Sequence, residues 1–558
     1  MQALDQAIPQ AVAAPARADR APAALVALSL MLFGLASLPL LLVESPPLFD
    51  YANHLARVHI LANLETVDAF RNNYAADSLL LPNVLADLVL LALQPWLGIL
   101  GAGKALLMLV LALTIGGAAA LGWAASGRPT PWPLLAAALV WNEVTIWGFL
   151  NYILGLALLL WGLAAWLWLG RRSRGWQLAA GALFALLAFL SHMVAFGLFA
   201  IAIAVLELHR AWVHRAGGIW PALRRLAVSA AIFVPALALF LARSPASGLA
   251  LDMRFLFTDW QKLSPFTRLL ATGHTVLDLV TLLAVAGAVL GLLASGRARL
   301  HPGLALVALA FLAAEMLLPF SAMGSFFLDM RVAIAAVLLL VVALAPMPGR
   351  ASPGLARAFC LGLVLLVGVR SAVLADSWIE ADRRFAAVKE SLKELPPGAF
   401  LVAADAAPFE LGNWLQTRRT QPPHEHTAGY AVILRDAVLP NVFARRGQNP
   451  LTFDPGLHDL WAVAYNPISR ATTDAELASF VAHVDNTTRA IHAAPGRAGF
   501  PGVYLVVFNR GCADWPETRP VEPVACGPDH ALMRVPPPDD GSDAPTASTT
   551  APTARSSS

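Results

Sequence analysis

The sequence predicts a mainly α, polytopic transmembrane helical bundle that ends in a soluble α/β or α+β domain. Three observations carry that prediction. Only 13% of the 558 residues are charged, against roughly 25% in an ordinary soluble protein. Long apolar runs fill residues 22 to about 375, and ordinary polar sequence lies almost wholly beyond them. A soluble chain of this length would divide into several domains, each with its own polar surface, and the apolar part lacks the residues to build one.

The N-terminal tail, 1–21, is expected in the cytoplasm. Arg17 and Arg20 precede an apolar stretch from Ala21 to Val43. That stretch reaches the ~20 residues needed to cross a ~30 Å hydrocarbon core and is longer than a signal-peptide h-region, so it reads as a retained first helix, 22–43. Further spans are expected at about 104–123, 131–148, 150–169, 176–190, 192–208, 223–243, 274–295, 302–320, 331–348 and 355–375, about 11 in all.

Basic residues test this arrangement through the positive-inside rule. They cluster at Arg128, at Arg171, Arg172 and Arg174, at Arg210 through Arg225, at Arg297 with Arg299, and at Arg350 with Arg357. All share the cytoplasmic side on two conditions: segment 79–97 does not cross, and 176–208 is a pair of short helices broken near Ser191-His192. Pro82, Asn83, Asp87 and Pro95 suit 79–97 to an interfacial or re-entrant helix within a first outer loop, 44–103. The rival arrangement makes 79–97 a span and 176–208 one long helix, which leaves Arg128 and the 171–174 cluster outside. The first is favoured. Its odd count puts the C-terminal domain across the membrane from the N-terminus, in the periplasm for a bacterial inner membrane.

The soluble domain, 376–535, opens with a helical pattern from Asp376 to Leu395, stopped by Pro396-Pro397-Gly398. Strand-like runs follow at 399–404, 430–434, 502–508 and 531–535,. The tail, 536–558, has too little apolar content to fold, and no internal repeat is evident. Cys360 sits in an apolar run as a small hydrophobe. Cys512 and Cys526 can pair if the domain faces an oxidising space. A formal net charge of +3, with no basic run interleaved with aromatics, implies no nucleic-acid partner,. No CxxC or HExxH spacing assigns a metal site.

Under this topology Asp50, Glu143, Asp278, Glu315 and Asp329 all fall at the outer side. An ionisable group at membrane depth is costly and is a functional candidate for that reason, although helix ends carry polar residues in any case. Their convergence on one face implies a cavity at the outer leaflet. The densest constellation runs from Pro46 to Arg57 and holds Asp50, Tyr51, Asn53, His54 and Arg57. Asp50 and His54 are four apart, as are Asn53 and Arg57, so a helix lying along the outer surface puts each pair side by side. A carboxylate there can take a proton from a hydroxyl, and a basic residue can hold a phosphate. The alternative is an interfacial amphipathic helix with ordinary caps.

Loop 244–273 and its edge carry Arg243, Arg254, Lys262 and Arg268 among Phe255, Phe257, Trp260 and Phe266. Basic residues outside suggest either lipid-phosphate binding or a belt of snorkelling side chains. Residues Met323 to Arg331, with Asp329, form another outer loop able to gate or line the cavity. His424-Glu425-His426 read as loop residues, because no third metal ligand is placed beside them.

A first helix followed at once by an outer-face Asp and an interfacial helix resembles the GT-C superfamily of membrane glycosyltransferases. That superfamily includes protein O-mannosyltransferases and the aminoarabinose transferases that modify lipid A. The resemblance implies an enzyme that moves a sugar from a polyprenyl-phosphate donor to an acceptor (lipid, glycan or protein) at the outer face. It matches Asp50 to the first-loop catalytic acid and Lys104 to a residue that contacts the donor phosphate. Glu143, in Trp-Asn-Glu-Val-Thr, matches a second acid, and His192, in Leu-Ser-His-Met, stands where relatives carry a basic residue in a broken helix. Tyr51, Asn53, His54, Arg57, Arg268, Asp329 and Arg331 complete the candidate substrate-binding set. The first loop has no Asp-x-Asp or Glu-x-Asp, so a divalent metal ion is left open and no ligands for one are assigned. Two other classes stay in view: a transporter or flippase of a lipid-linked glycan, and a non-catalytic assembly protein with an outer binding domain.

Overall fold

The computed structural model describes residues 20–215, 218–243, 253, 262–322, 325–350, 352–406, 426–464, 471–493, 500–515 and 521–536. The N-terminal tail before Arg20 and the C-terminal tail beyond Pro536 lie outside the described residues. So do most of loop 244–273, Met323-Gly324 and His424-Glu425. The chain is a multi-pass membrane protein. Among the described residues, eight helices are long and apolar enough to cross a bilayer, and three shorter helical segments occupy the other expected spans.

Helix α1 (Arg20–Leu42) is the first span. The loop after it holds α2 (Tyr51–Asn63), α3 (Asp68–Asn73) and β1 (Tyr74–Ala76). Helix α4 (Leu85–Ser126) joins segment 79–97 to the second expected span and turns at Gly98, which has φ 65°. The expected span 131–148 is instead a 3-10 segment, Trp132–Leu139, followed by the short α5 (Glu143–Ile146). Asn142 causes the second start: its side chain accepts from the Thr145 backbone N–H and caps α5,.

Helices α6 (Leu150–Leu169), α7 (Arg174–Ser191) and α8 (Met193–Val213) follow. The break between α7 and α8 falls at His192, whose backbone is extended (φ −164°, ψ 135°), as the two-short-helix arrangement requires. The next span is built from α9 (Ile219–Ala230), a 3-10 turn and α10 (Val234–Arg243). Then come α11 (Ser264–Thr267), α12 (Thr275–Ala294), β2 (Ala298–Leu300), α13 (Pro302–Leu317), α14 (Leu328–Val342) and β3 (Leu344–Pro346).

Helix α15 (Pro353–Leu392) runs unbroken from the last span into the soluble domain, so the boundary expected at 375/376 falls inside one rigid rod. Beyond it lie β4 (Phe400–Asp405), α16 (Gly429–Arg435), β5 (Leu451–Phe453), α17 (His458–Ala464), α18 (Asp474–Ala493), β6 (Val503–Phe508), β7 (Glu522–Cys526) and β8 (His530–Val535). The strand expected at 430–434 is the helix α16. Its run of apolar residues is short and largely buried, and that is the case in which periodicity does not separate strand from helix,. The mixed sheet has the order β4-β6-β8-β7, with β4 and β6 parallel and the other pairs antiparallel. Cys512 and Cys526 are joined in a disulfide beside it.

Two small ribbons mark the ends of the molecule. At one end β1 pairs with β5 (Tyr74 opposite Phe453), which ties the first loop to the soluble domain. At the other, β2 pairs with β3, Arg128 donates to the Pro346 carbonyl at 2.8 Å, and the Met347 N–H bonds the Arg297 carbonyl. Arg174 and Arg225 meet on Glu207. The basic clusters therefore gather at the end of the bundle away from the soluble domain.

Candidate functional site

The first loop is held against the end of α5 and the turn that leads into α6 by backbone contacts. Phe49 N–H bonds the Ile146 carbonyl at 3.1 Å, and Asp50 N–H bonds the Trp147 carbonyl at 3.0 Å. Gly148 makes this approach feasible. Its φ is 74°, and a Cβ there would sit 3.1 Å from the backbone nitrogens of both Asp50 and Tyr51, so a side chain would be strained and would push the loop away. Phe49 stacks on Trp147 with centroids 4.3 Å apart. The result is a fixed position for Asp50 immediately before α2.

Helix α2, expected to lie along the outer membrane surface, is enclosed by protein on two sides. Nine of its residues, from Tyr51 to Ile60, are buried, because α4 covers one side and α16 another. Gly429 opens α16 where a Cβ would meet the Ala52 carbonyl at 2.8 Å, so the soluble domain rests directly on the helix. The side chains four apart in α2 turn to different partners. Arg57 makes a bidentate pair with Asp87, at 2.7 and 2.9 Å, and contacts His54 Nδ1 at 3.0 Å. Burial, Arg57 and His426 together hold the His54 imidazole well below its usual range. Tyr51 is fully buried with no partner for its hydroxyl among the described residues, and burial raises its pKa.

Asp50 faces the soluble domain. His426, just before α16, brings Nε2 to 3.5 Å from Asp50 Oδ1. Its Nδ1 lies 2.9 Å from Asn53 Nδ2, and its ring packs edge-on against Phe443. Asn53 also donates to the Asn441 carbonyl and accepts from the Phe443 N–H. Burial pushes the His426 imidazole down to about 4, so it is neutral near pH 7.

Arg331 lies on the bundle side of Asp50, close enough for the carboxylate to act on it electrostatically. Its Nη1 is 3.0 Å from His192 Nε2 and 2.9 Å from Ser325 Oγ, and the guanidinium stands 4.1 Å over the Phe149 ring. The Tyr152 hydroxyl donates to the Arg331 backbone carbonyl. The Arg331 Nε–H is buried with no partner among the described residues, a donor that an anionic ligand would satisfy.

Ion pairs surround this centre. Arg268 bonds Glu143, which also accepts from Trp147 Nε1 at 3.4 Å. Arg370 binds Asp278 at 2.8 Å and the Trp141 carbonyl at 2.7 Å. Lys262 caps the end of α13 on the Leu318 and Glu315 carbonyls and reaches Asp329 at 3.4 Å, while the Glu315 carboxylate is buried and unpartnered among the described residues. Lys104 donates to the Val43 carbonyl at 2.8 Å. The structure thus brings Asp50, Asn53, His192 and Arg331 together. Arg57, Arg268 and Lys262 are engaged by their own carboxylates, and Lys104 by the end of α1.

Sequence reasoning passed over His426 because its motif was weighed only as a metal pair. It also left Asp87 without a role and Arg370 inside a span. A buried Arg and a buried Asp in adjacent apolar segments are the signal that could have joined Arg57 to Asp87.

No protein-family model matches the chain, and no curated protein matches it. Two solved structures are similar to it in shape, both of ArnT from Cupriavidus metallidurans, each at 14% identity over 92% of this chain and 97% of that one. The apo form gives a TM-score of 0.49 and the form bound to undecaprenyl phosphate 0.44.

Proposed function

We propose that the chain is a membrane glycosyltransferase that takes a sugar from a polyprenyl-phosphate donor and transfers it to an acceptor at the face covered by the soluble domain. One observation carries this reading. A carboxylate whose backbone is fixed by hydrogen bonds, Asp50, lies within electrostatic reach of a buried guanidinium with an unspent donor, Arg331, between the end of a membrane bundle and a polar domain. Sugar transfer from a lipid phosphate needs both groups. Asp50 takes the proton as the acceptor oxygen bonds to the anomeric carbon. The bond from that carbon to the phosphate oxygen breaks, its electron pair leaves with the phosphate, and Arg331 balances the charge that develops there.

Arg331 takes the phosphate role in place of Arg57, whose charge is spent on Asp87. Glu143, held by Arg268, positions the Trp147 turn that carries Asp50 rather than acting on substrate. The disulfide supports placing the soluble domain in an oxidising space such as the bacterial periplasm,. The basic clusters at the opposite end fit a cytoplasmic face.

The reading is tested with purified protein in vesicles containing polyprenyl-phosphate mannose or polyprenyl-phosphate aminoarabinose, supplied with lipid and glycan acceptors. Sugar appearing on an acceptor, with free polyprenyl phosphate left behind, supports it. Donor that crosses the bilayer with its sugar intact would instead identify a flippase.

A further inference from the structure

His426 brings the soluble domain to the Asp50 site, and a chain of hydrogen bonds fixes its protonation. The Phe443 N–H points at Asn53 Oδ1 at 2.8 Å. A backbone N–H only donates, so this oxygen is the acceptor end of the amide and Nδ2 is the donor end. Nδ2 donates to the Asn441 carbonyl at 3.0 Å and meets His426 Nδ1 at 2.9 Å. His426 Nδ1 must then be the lone-pair nitrogen. In a neutral imidazole the proton therefore sits on Nε2, the atom that faces Asp50 Oδ1 at 3.5 Å,. Every partner in this relay except Asn53 and Asp50 comes from the soluble domain, more than 370 residues away in sequence.

We propose that His426 is a positioning residue for Asp50: its Nε2–H, set by Asn53 and placed 3.5 Å from one carboxylate oxygen, steers the carboxylate toward the acceptor. The reaction site is thus completed only when the soluble domain is docked on α2. The relay resembles the arrangement in which a hydrogen-bonded imidazole is fixed in one tautomer by its second nitrogen, with the carboxylate here as the reacting group. This rests on the glycosyltransferase reading for its catalytic consequence, whereas the tautomer stands on geometry alone. Burial of the ring favours the neutral form that the relay requires.

The test has two readouts. The first is nitrogen NMR of protein labelled with 15N-histidine, the His426 signal being assigned from the His426→Gln spectrum. A neutral ring protonated on Nε2 at pH 7 is expected. A ring protonated on Nδ1, or doubly protonated, overturns the proposal whatever the activity. The second readout is transfer from polyprenyl-phosphate mannose or aminoarabinose. His426→Ala is expected to lower kcat about 10- to 100-fold with the donor KM within about twofold, as loss of aim rather than of binding requires. His426→Gln, which keeps a donor nitrogen near Nε2, recovers most of that loss. The variants must keep the wild-type melting temperature, and for His426→Ala the disulfide and elution volume confirm folding. Unchanged kcat in a folded His426→Ala overturns the positioning role while leaving the glycosyltransferase reading intact. A wild type inactive with every donor defeats that reading and the catalytic role together, and the NMR result still decides the tautomer.

Discussion

At the scale of single residues, Arg331 is the most exposed to test. It is a buried cation with an electrostatic partner in Asp50, and one of its donors is left unspent. Arg331→Gln removes the charge and keeps polar bulk, so the donor should bind more weakly and the leaving phosphate should lose its counter-charge. A loss of about 100-fold or more in kcat/KM for the donor is expected, in the range known for charge-stabilising groups. Lysine should not restore it fully, because an ammonium cannot at once stack flat on the Phe149 face and present the forked donors that reach Ser325 and His192,.

His426 makes a pH prediction. Its folded imidazole takes a proton near pH 4, against ~6.5 in the unfolded chain,. Between those values the unfolded chain binds more protons, so stability falls as pH falls through that window, by at most on the order of 3 kcal/mol. Asp50, Asn53 and His54 face the same ring. His54, depressed by the same burial, adds a limb of the same sign. Thermal midpoints measured from pH 7 to 4 should therefore fall less steeply in His426→Gln than in the wild type.

At the scale of elements, α2 is where sequence and structure differ most. Its residue types marked the site, because Asp50, Asn53, His54 and Arg57 form the densest polar cluster of the first outer loop. Its environment was not legible: a helix read alone shows one polar face, whereas this one is enclosed by α4 and by a domain that joins it from the far end of the chain. The Arg57–Asp87 pair is the clearest product of that enclosure, with side chains 1% and 0% exposed. Removing one partner leaves a buried charge uncompensated, so Asp87→Ala should destabilise the protein by about 3–5 kcal/mol. Replacing both, as Arg57→Met with Asp87→Leu, should cost much less. Denaturation of the three variants in detergent, compared with the wild type, checks the order.

At the scale of the whole molecule, the bundle was largely written in the hydropathy. The α7–α8 break at His192 and the gathering of arginines at one end both follow from the positive-inside rule. The short segment Trp132–Ile146 and the continuous rod of α15 did not follow. A capping Asn142 and an uninterrupted helical pattern across 375 depend on local backbone bonding that hydropathy averages away. Sidedness is measurable with single cysteines in a Cys360→Ser background. A membrane-impermeant maleimide applied from the outer face should label Glu390→Cys, beside the soluble domain, and leave Arg350→Cys, at the basic end, unlabelled. The reverse pattern would overturn the topology.

The docking of a polar domain onto the loop after α1 leads to one central claim, that Asp50 is the group that activates the acceptor. The direct measurement is the rate of sugar transfer from polyprenyl-phosphate mannose or aminoarabinose by purified wild type and by Asp50→Asn, with donor binding measured alongside. The account predicts that the asparagine variant still binds donor and loses at least about 100-fold in kcat, the scale of a lost general base. Transfer at the wild-type rate by Asp50→Asn would contradict it.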